Sequence, residues 1–212
     1  VHFKRGTWFD GFQDVRRLWN VVEQMIGPEV RSNSKRDLSL SMGKAYLYVS
    51  IFVIPVLILL CGFYLWLWGV ESFLDGFMRL TDWSIIIPVL ILGVPLHELI
   101  HGITWALAGR MKLGEIRFGF QLRTLTPYAH CRIPVRASVY RIGGATPLLL
   151  MGILPYLIGL CFGNGLLAAF GLIFILAAGG DVVILWLIRR VNGTALVEDH
   201  PSRAGCYVYE EA

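Results

Sequence analysis

The sequence predicts an all-α integral membrane fold: four transmembrane helices, a small cytoplasmic β-hairpin and an N-terminal amphipathic helix. Three observations carry this prediction. Of the 212 residues, 56% are hydrophobic and only 16% charged, whereas a soluble domain has about a quarter charged and under half apolar residues. The apolar residues gather into four runs, each near the roughly 20 residues a helix needs to cross a bilayer. After the second run the periodicity changes from helical to alternating. A mean hydropathy of +0.62 excludes disordered and collagen-like chains. The net charge of +4 is too thin for nucleic-acid binding.

Taken in order, residues 1–45 form a cytoplasmic leader. Trp8, Phe12, Val15, Trp19, Val22 and Ile26 lie on one helical stripe opposite Asp14, Arg16, Arg17 and Glu23. Such a helix suits the headgroup layer or the cytoplasmic face of a bundle. Residues 27–41 are polar, contain Pro28 and several serines, and read as a linker. The membrane domain covers 46–188, with spans at 46–68, 83–108, 142–162 and 166–188. The first follows a charged leader and exceeds a signal-peptide core, so it reads as a retained anchor. Only Gly163, Asn164 and Gly165 separate the last two, which demands a tight hairpin.

The loop at 109–141 lies inside this domain. In it Ile116, Phe118, Phe120 and Leu122 alternate with Arg117, Gly119, Gln121 and Arg123, a period of two. Thr126-Pro127 is expected to break the pattern, with 128–135 as the second strand. Residues 189–212 form a cytoplasmic tail.

Basic residues orient the bundle. Eight lie in 1–45 and seven in 109–141, but only Arg79 in 69–82. Cytoplasmic loops carry the positive excess, so both termini and the 109–141 loop are expected to face the cytoplasm of a multi-pass cell-membrane protein. The four cysteines form no C-x-x-C pair. Cys131 and Cys206 fall on the side where thiols stay reduced.

One motif carries chemistry. His97-Glu98-Leu99-Ile100-His101 reads H-E-x-x-H within the second span. Residues four apart share a helix face, so both imidazoles can bind one metal ion, with Glu98 beside the first as general base and then acid. With five histidines in the chain, chance would produce the pattern on the order of 0.4% of the time. The ionisable residues inside the four predicted spans, their ends excluded, are His97, Glu98, His101 and Asp181. Intramembrane ionisable groups cost a few kcal/mol each and mark function, so Asp181 is the natural partner of the motif. His101 and Asp181 each lie seven residues from the cytoplasmic end of a span, roughly 10 Å deep at 1.5 Å rise per residue. Two histidines and a carboxylate leave a fourth position open, the arrangement of a catalytic zinc, one ion per chain. Iron or cobalt suits the same donors.

His97-Glu98-x-x-His101-Gly102, the Pro127-Tyr128-Ala129-His130-Cys131 stretch, Gly180-Asp181 and Asp199-His200-Pro201 resemble the putative zincin peptidases, a bacterial and archaeal family of multipass membrane proteins. The resemblance covers roughly residues 85–210. More distantly the layout is similar to the site-2 proteases, intramembrane zinc enzymes that use two histidines and an aspartate from a later span. That likeness implies Asp181 as third ligand, although the aspartate stands here in Gly-Gly-Asp-Val rather than in an Asp-Gly pair. His130, a surface histidine on the simpler reading, and Asp199-His200, a turn before proline on the simpler reading, are the other candidates for that ligand.

The expected activity is hydrolysis of peptide bonds in membrane-associated protein substrates, with the peptide laid along the edge of the hairpin. A metal transporter or sensor using the same ligands, and a protease-like scaffold that cleaves nothing, are the alternatives.

Overall fold

A computed structural model describes residues 35–121 and 126–209. The amphipathic helix expected between Thr7 and Ile26 lies outside the described residues. The chain is mostly helical, and its β structure exceeds the single hairpin that the sequence led us to expect.

Strand β1 (Lys35–Leu40) precedes α1 (Met42–Thr81), a 40-residue helix. It is interrupted at Gly69, whose φ of 78° and ψ of 166° belong to a region essentially restricted to glycine. The interruption falls directly after Trp68, where the first span is predicted to end. The segment beyond it turns back onto the bundle. Trp68 Nε1 donates to the Leu160 carbonyl at 2.7 Å, and Ser72 Oγ donates to the Gly163 carbonyl at 3.2 Å. Gly76 and Gly165 touch backbone to backbone, since a Cβ on Gly76 would lie 2.0 Å from the Gly165 carbonyl carbon.

Helix α2 (Trp83–Ala108) has the predicted bounds. Asp82 caps it by accepting the Ser84 N–H at 2.8 Å.

A 3-10 turn then leads into the hairpin β2 (Ile116–Gln121) and β3 (Thr126–Cys131). Thr126-Pro127 does not break the hairpin. Thr126 stands opposite Gln121 and Pro127 opposite Phe120, because the missing proline N–H is tolerated on an edge strand. Phe118 covers Gly102 of α2, where a Cβ would come within 2.4 Å of the ring.

Strand β4 (Val135–Arg136) opens the next helical stretch, which starts earlier than the predicted residue 142. It comprises α3 (Ala137–Pro147), a π-helical segment Leu148–Ile153 that begins directly after Pro147, and α4 (Leu154–Phe162). Gly163, at φ 66°, makes the predicted tight turn, and Asn164 caps α5 (Gly165–Ala177) by accepting the Leu167 N–H at 3.1 Å. The predicted fourth span is broken: α5 and α6 (Gly179–Leu187) meet at 46°. Among the described residues, three helical segments are thus long and apolar enough to cross a membrane, and a fourth is so if the bent pair is taken as one span.

The stretch read as a linker and the C-terminal tail also depart from expectation. Residues 35–40 and the strands β5 (Leu196–Asp199) and β6 (Ala204–Tyr209) form, with β4, a four-stranded antiparallel sheet in the order β1-β6-β5-β4. Leu38 and Asp199 flank Cys206 on its two sides. One core fills the bundle around Tyr64, Tyr156 and Ile175. The other joins the end of α2 and α3 to both sheets, through Trp105, Tyr140, Cys131, Val197 and Cys206.

Candidate metal centre

The bend between α5 and α6 places Asp181 in the first turn of α6, and small residues let the helices close around it. A Cβ on Gly179 would lie 2.7 Å from Val49 of α1, and one on Gly93 of α2 would lie 2.5 Å from the Phe174 ring of α5. As a result the Asp181 carboxylate meets the His97-x-x-x-His101 face of α2. Asp181 Oδ2 lies 3.1 Å from His97 Nε2 and 3.4 Å from His101 Nε2. Among the described residues these three side chains form a group whose ligand atoms all lie within 4.8 Å of one another.

The donor set can be tested against a zinc ion. Donors at ordinary zinc distances around a tetrahedron are about 3.3 Å apart, close to both imidazole–carboxylate separations. The protonation pattern points the same way. His101 Nδ1 lies 2.9 Å from the Gly143 carbonyl oxygen, which can only accept, so Nδ1 carries a proton. In the neutral ring Nε2 then presents a lone pair to a carboxylate oxygen, which repels it unless a cation or a proton sits between them. Both imidazoles are buried, and the Asp181 side chain is about one-fifth exposed, at 22%. These residues fit a divalent cation.

The surroundings hold His101 more firmly than His97. The Trp105 ring, one turn beyond His101, stacks on its imidazole with centroids 5.3 Å apart. Trp105 Nε1 donates to the Tyr140 carbonyl at 3.2 Å, and the Tyr140 ring stacks on Trp105 in turn. Gly143 lies against the indole so closely that a Cβ there would be 2.1 Å from it. His97 lacks such support: its Nδ1 is buried without a hydrogen-bond partner. Glu98 is half-buried and accepts a hydrogen bond from the Ala129 N–H of β3.

A cavity of about 1130 Å³ opens over this group. It reaches from Val49 and Val94, between α1 and α2, to β3 and the turn after β5.

Of the alternatives for the third ligand, the structure brings in Asp181 and leaves the others apart. His130 lines the cavity beside Tyr128, ring centroids 4.5 Å apart, but stands outside the three-residue group. His200 closes its own turn, its Nδ1 accepting from the N–H groups of Ser202 and Arg203 at 3.1 and 3.0 Å. The turn was expected to use Asp199 for this. Asp199 instead turns inward, accepting from Tyr140 Oη and the Cys131 N–H. Burial holds its carboxyl above the usual carboxylate range, against the opposing pull of the nearby His130 ring. Burial also pushes the Cys131 thiol up, and the Cys206 thiol to about 12.

Residues 90–196 match the family described as "Putative zincin peptidase". The chain belongs to this family. The zincin peptidase match contains His97, Glu98, His101, Gly143 and Asp181 and ends before Asp199. No curated protein and no solved structure matches the chain. Sequence reasoning missed Tyr140, Trp105 and Gly143. Only Trp105 carried a signal, its place four residues after His101 on the same helical face.

Proposed function

We propose that the chain is a membrane-embedded zinc metallopeptidase that hydrolyses peptide bonds in membrane-associated protein substrates. His97, His101 and Asp181 hold one zinc ion per chain, and Glu98 is the general base and then the general acid. The observation that carries this reading is the single Asp181 oxygen facing both Nε2 atoms, with His101 Nδ1 committed to Gly143. Family membership supports it independently.

Zinc bound there would act as a Lewis acid, polarising the scissile carbonyl and acidifying water. The remaining work falls to the chain itself. Glu98, adjacent to His97 and half-buried, takes up a proton and delivers it to the departing amine. Gly143 and Trp105 hold the His101 ring in one orientation, as supporting groups do for metal-bound imidazoles. Strand β3 borders Glu98 through the Ala129 N–H, and the hairpin it forms with β2 offers an edge on which an extended peptide can lie. The cavity between α1 and α2 gives such a peptide a route from the bilayer.

We place the chain in the cell membrane with both termini on the cytoplasmic side. The two sheets bring Lys35, Arg36, Arg132, Arg136 and Arg203 to one end of the bundle, whereas Glu71, Asp75 and Asp82 lie near the opposite turn with Arg79 alone among the basic residues. This is the asymmetry expected of cytoplasmic and external loops.

Glu98→Gln tests the peptidase reading. The variant is expected to keep its zinc and lose at least about 100-fold in turnover, the usual contribution of a general base. Unchanged cleavage by Glu98→Gln would refute the assignment. Zinc flux into liposomes that survives the substitution would favour a carrier.

A further inference from the structure

Strand β5 brings a second carboxylate to the far side of the site. The two oxygens of Asp199 serve two elements: Tyr140 Oη donates to Oδ1 at 2.5 Å, and the Cys131 N–H donates to Oδ2 at 3.0 Å. Tyr140 stands one turn before Gly143 on α3, and Gly143 orients His101. Cys131 stands two residues after Ala129 on β3, and Ala129 borders Glu98. One carboxylate therefore joins the helix that supports a metal ligand to the strand that flanks the general base. The turn after β5 has no use for it, because His200 closes that turn. Asp199 is half-buried, and withdrawing a carboxylate even partly from water is costly for packing alone.

We propose that Asp199 is a positioning residue, a latch that holds β3 against α3 and so sets where an extended substrate lies relative to the metal ligands. The role in substrate placement rests on the peptidase reading. The latch itself does not, and it can be observed without turnover.

The experiment uses the full chain in detergent as wild type, Asp199→Ala, Asp199→Asn and Tyr140→Phe. N-ethylmaleimide labelling of Cys131 and Cys206 is followed by peptide mass spectrometry, alongside zinc content and cleavage of fluorescent casein. Both thiols are buried in the wild type and label slowly. In Asp199→Ala, Cys131 should label about tenfold faster, as local opening allows, while Cys206 stays protected and zinc content is unchanged. KM for casein should rise more than kcat falls. Asp199→Asn should restore protection, its carboxamide oxygen accepting from the Cys131 N–H and its NH₂ donating to Tyr140 Oη. Tyr140→Phe removes one of the two bonds and should give an intermediate rate.

Cys131 that labels no faster in Asp199→Ala and Tyr140→Phe would overturn the latch. Equal opening of Cys206 would overturn it too, since Asp199 would then support the whole sheet rather than position one strand. Casein left intact by the wild type, with the thiols behaving as described, would count against the peptidase reading and leave the latch standing.

Discussion

The two nitrogens of His101 face different tasks, and the residues around them settle which does what. Nδ1 donates to the Gly143 carbonyl, so Nε2 is left to face Asp181. Gly143 can fill this role because it has no side chain, since a Cβ would lie 2.1 Å from the Trp105 indole. Gly143→Ala must therefore displace either the indole or the carbonyl. Equilibrium dialysis should show zinc affinity falling by about 10- to 100-fold, the usual cost of losing a group that orients a metal ligand. Unchanged affinity would show that His101 is held by other means. The grouping of His97, His101 and Asp181 could be read in the sequence because charged and imidazole groups are conspicuous in apolar runs. Gly143 could not, because it acts through its backbone carbonyl. Asp199 was misread for a related reason: before proline it resembles a turn residue, and only the fold shows it turning toward Tyr140.

Among the elements, the helices were the more legible. Long apolar runs located α2 to the residue, and the Gly163-Asn164-Gly165 turn fell where expected. The interruption of α1 at Gly69 falls where the first apolar run ends, but the 46° bend before α6 was not foreseen, since it lies within a run that reads as one span. The bend matters most for the site, because it sets Asp181 in the first turn of α6. Gly69 offers a clean test of the interruption. Nothing lies within 4 Å of a Cβ added there, so the cost of Gly69→Ala is backbone strain alone. We expect a loss of about 1–3 kcal/mol, seen as a lower Tm in thermal melting of the detergent-purified chain, with zinc content retained. An unchanged Tm would mean that the backbone is not held at that φ. The β strands were harder to read than the helices. Alternation revealed β2, but β1 lies in a polar stretch, β5 has only four residues and β6 shows no clean alternation of apolar and polar residues. Their pairing joins residue 38 to residue 206, a separation that leaves no local pattern.

At the scale of the whole molecule, the sheets close one end of the bundle over a site built from two separate helices. The loops at that end are basic and the opposite turn is largely acidic. If the orientation follows that asymmetry, a membrane-impermeant maleimide should label Asp75→Cys in intact cells, and Ser202→Cys only after permeabilisation. The reverse pattern would invert the topology. A metal that joins α2 to α6 should also stabilise the fold, because a ligand that binds only the folded state raises its stability by mass action. Stripping it with a chelator is expected to lower the Tm of the wild type and leave that of Asp181→Ala nearly unchanged. Equal shifts in the two proteins would show that the chelator acts elsewhere. The most direct test of the central claim is zinc analysis of the purified chain combined with X-ray absorption at the zinc edge. The account predicts one zinc per chain coordinated by two imidazoles and a carboxylate oxygen, with the metal lost in His97→Ala, His101→Ala and Asp181→Ala and kept in Glu98→Gln. A metal-free wild type, or zinc that persists in all three ligand variants, would contradict it.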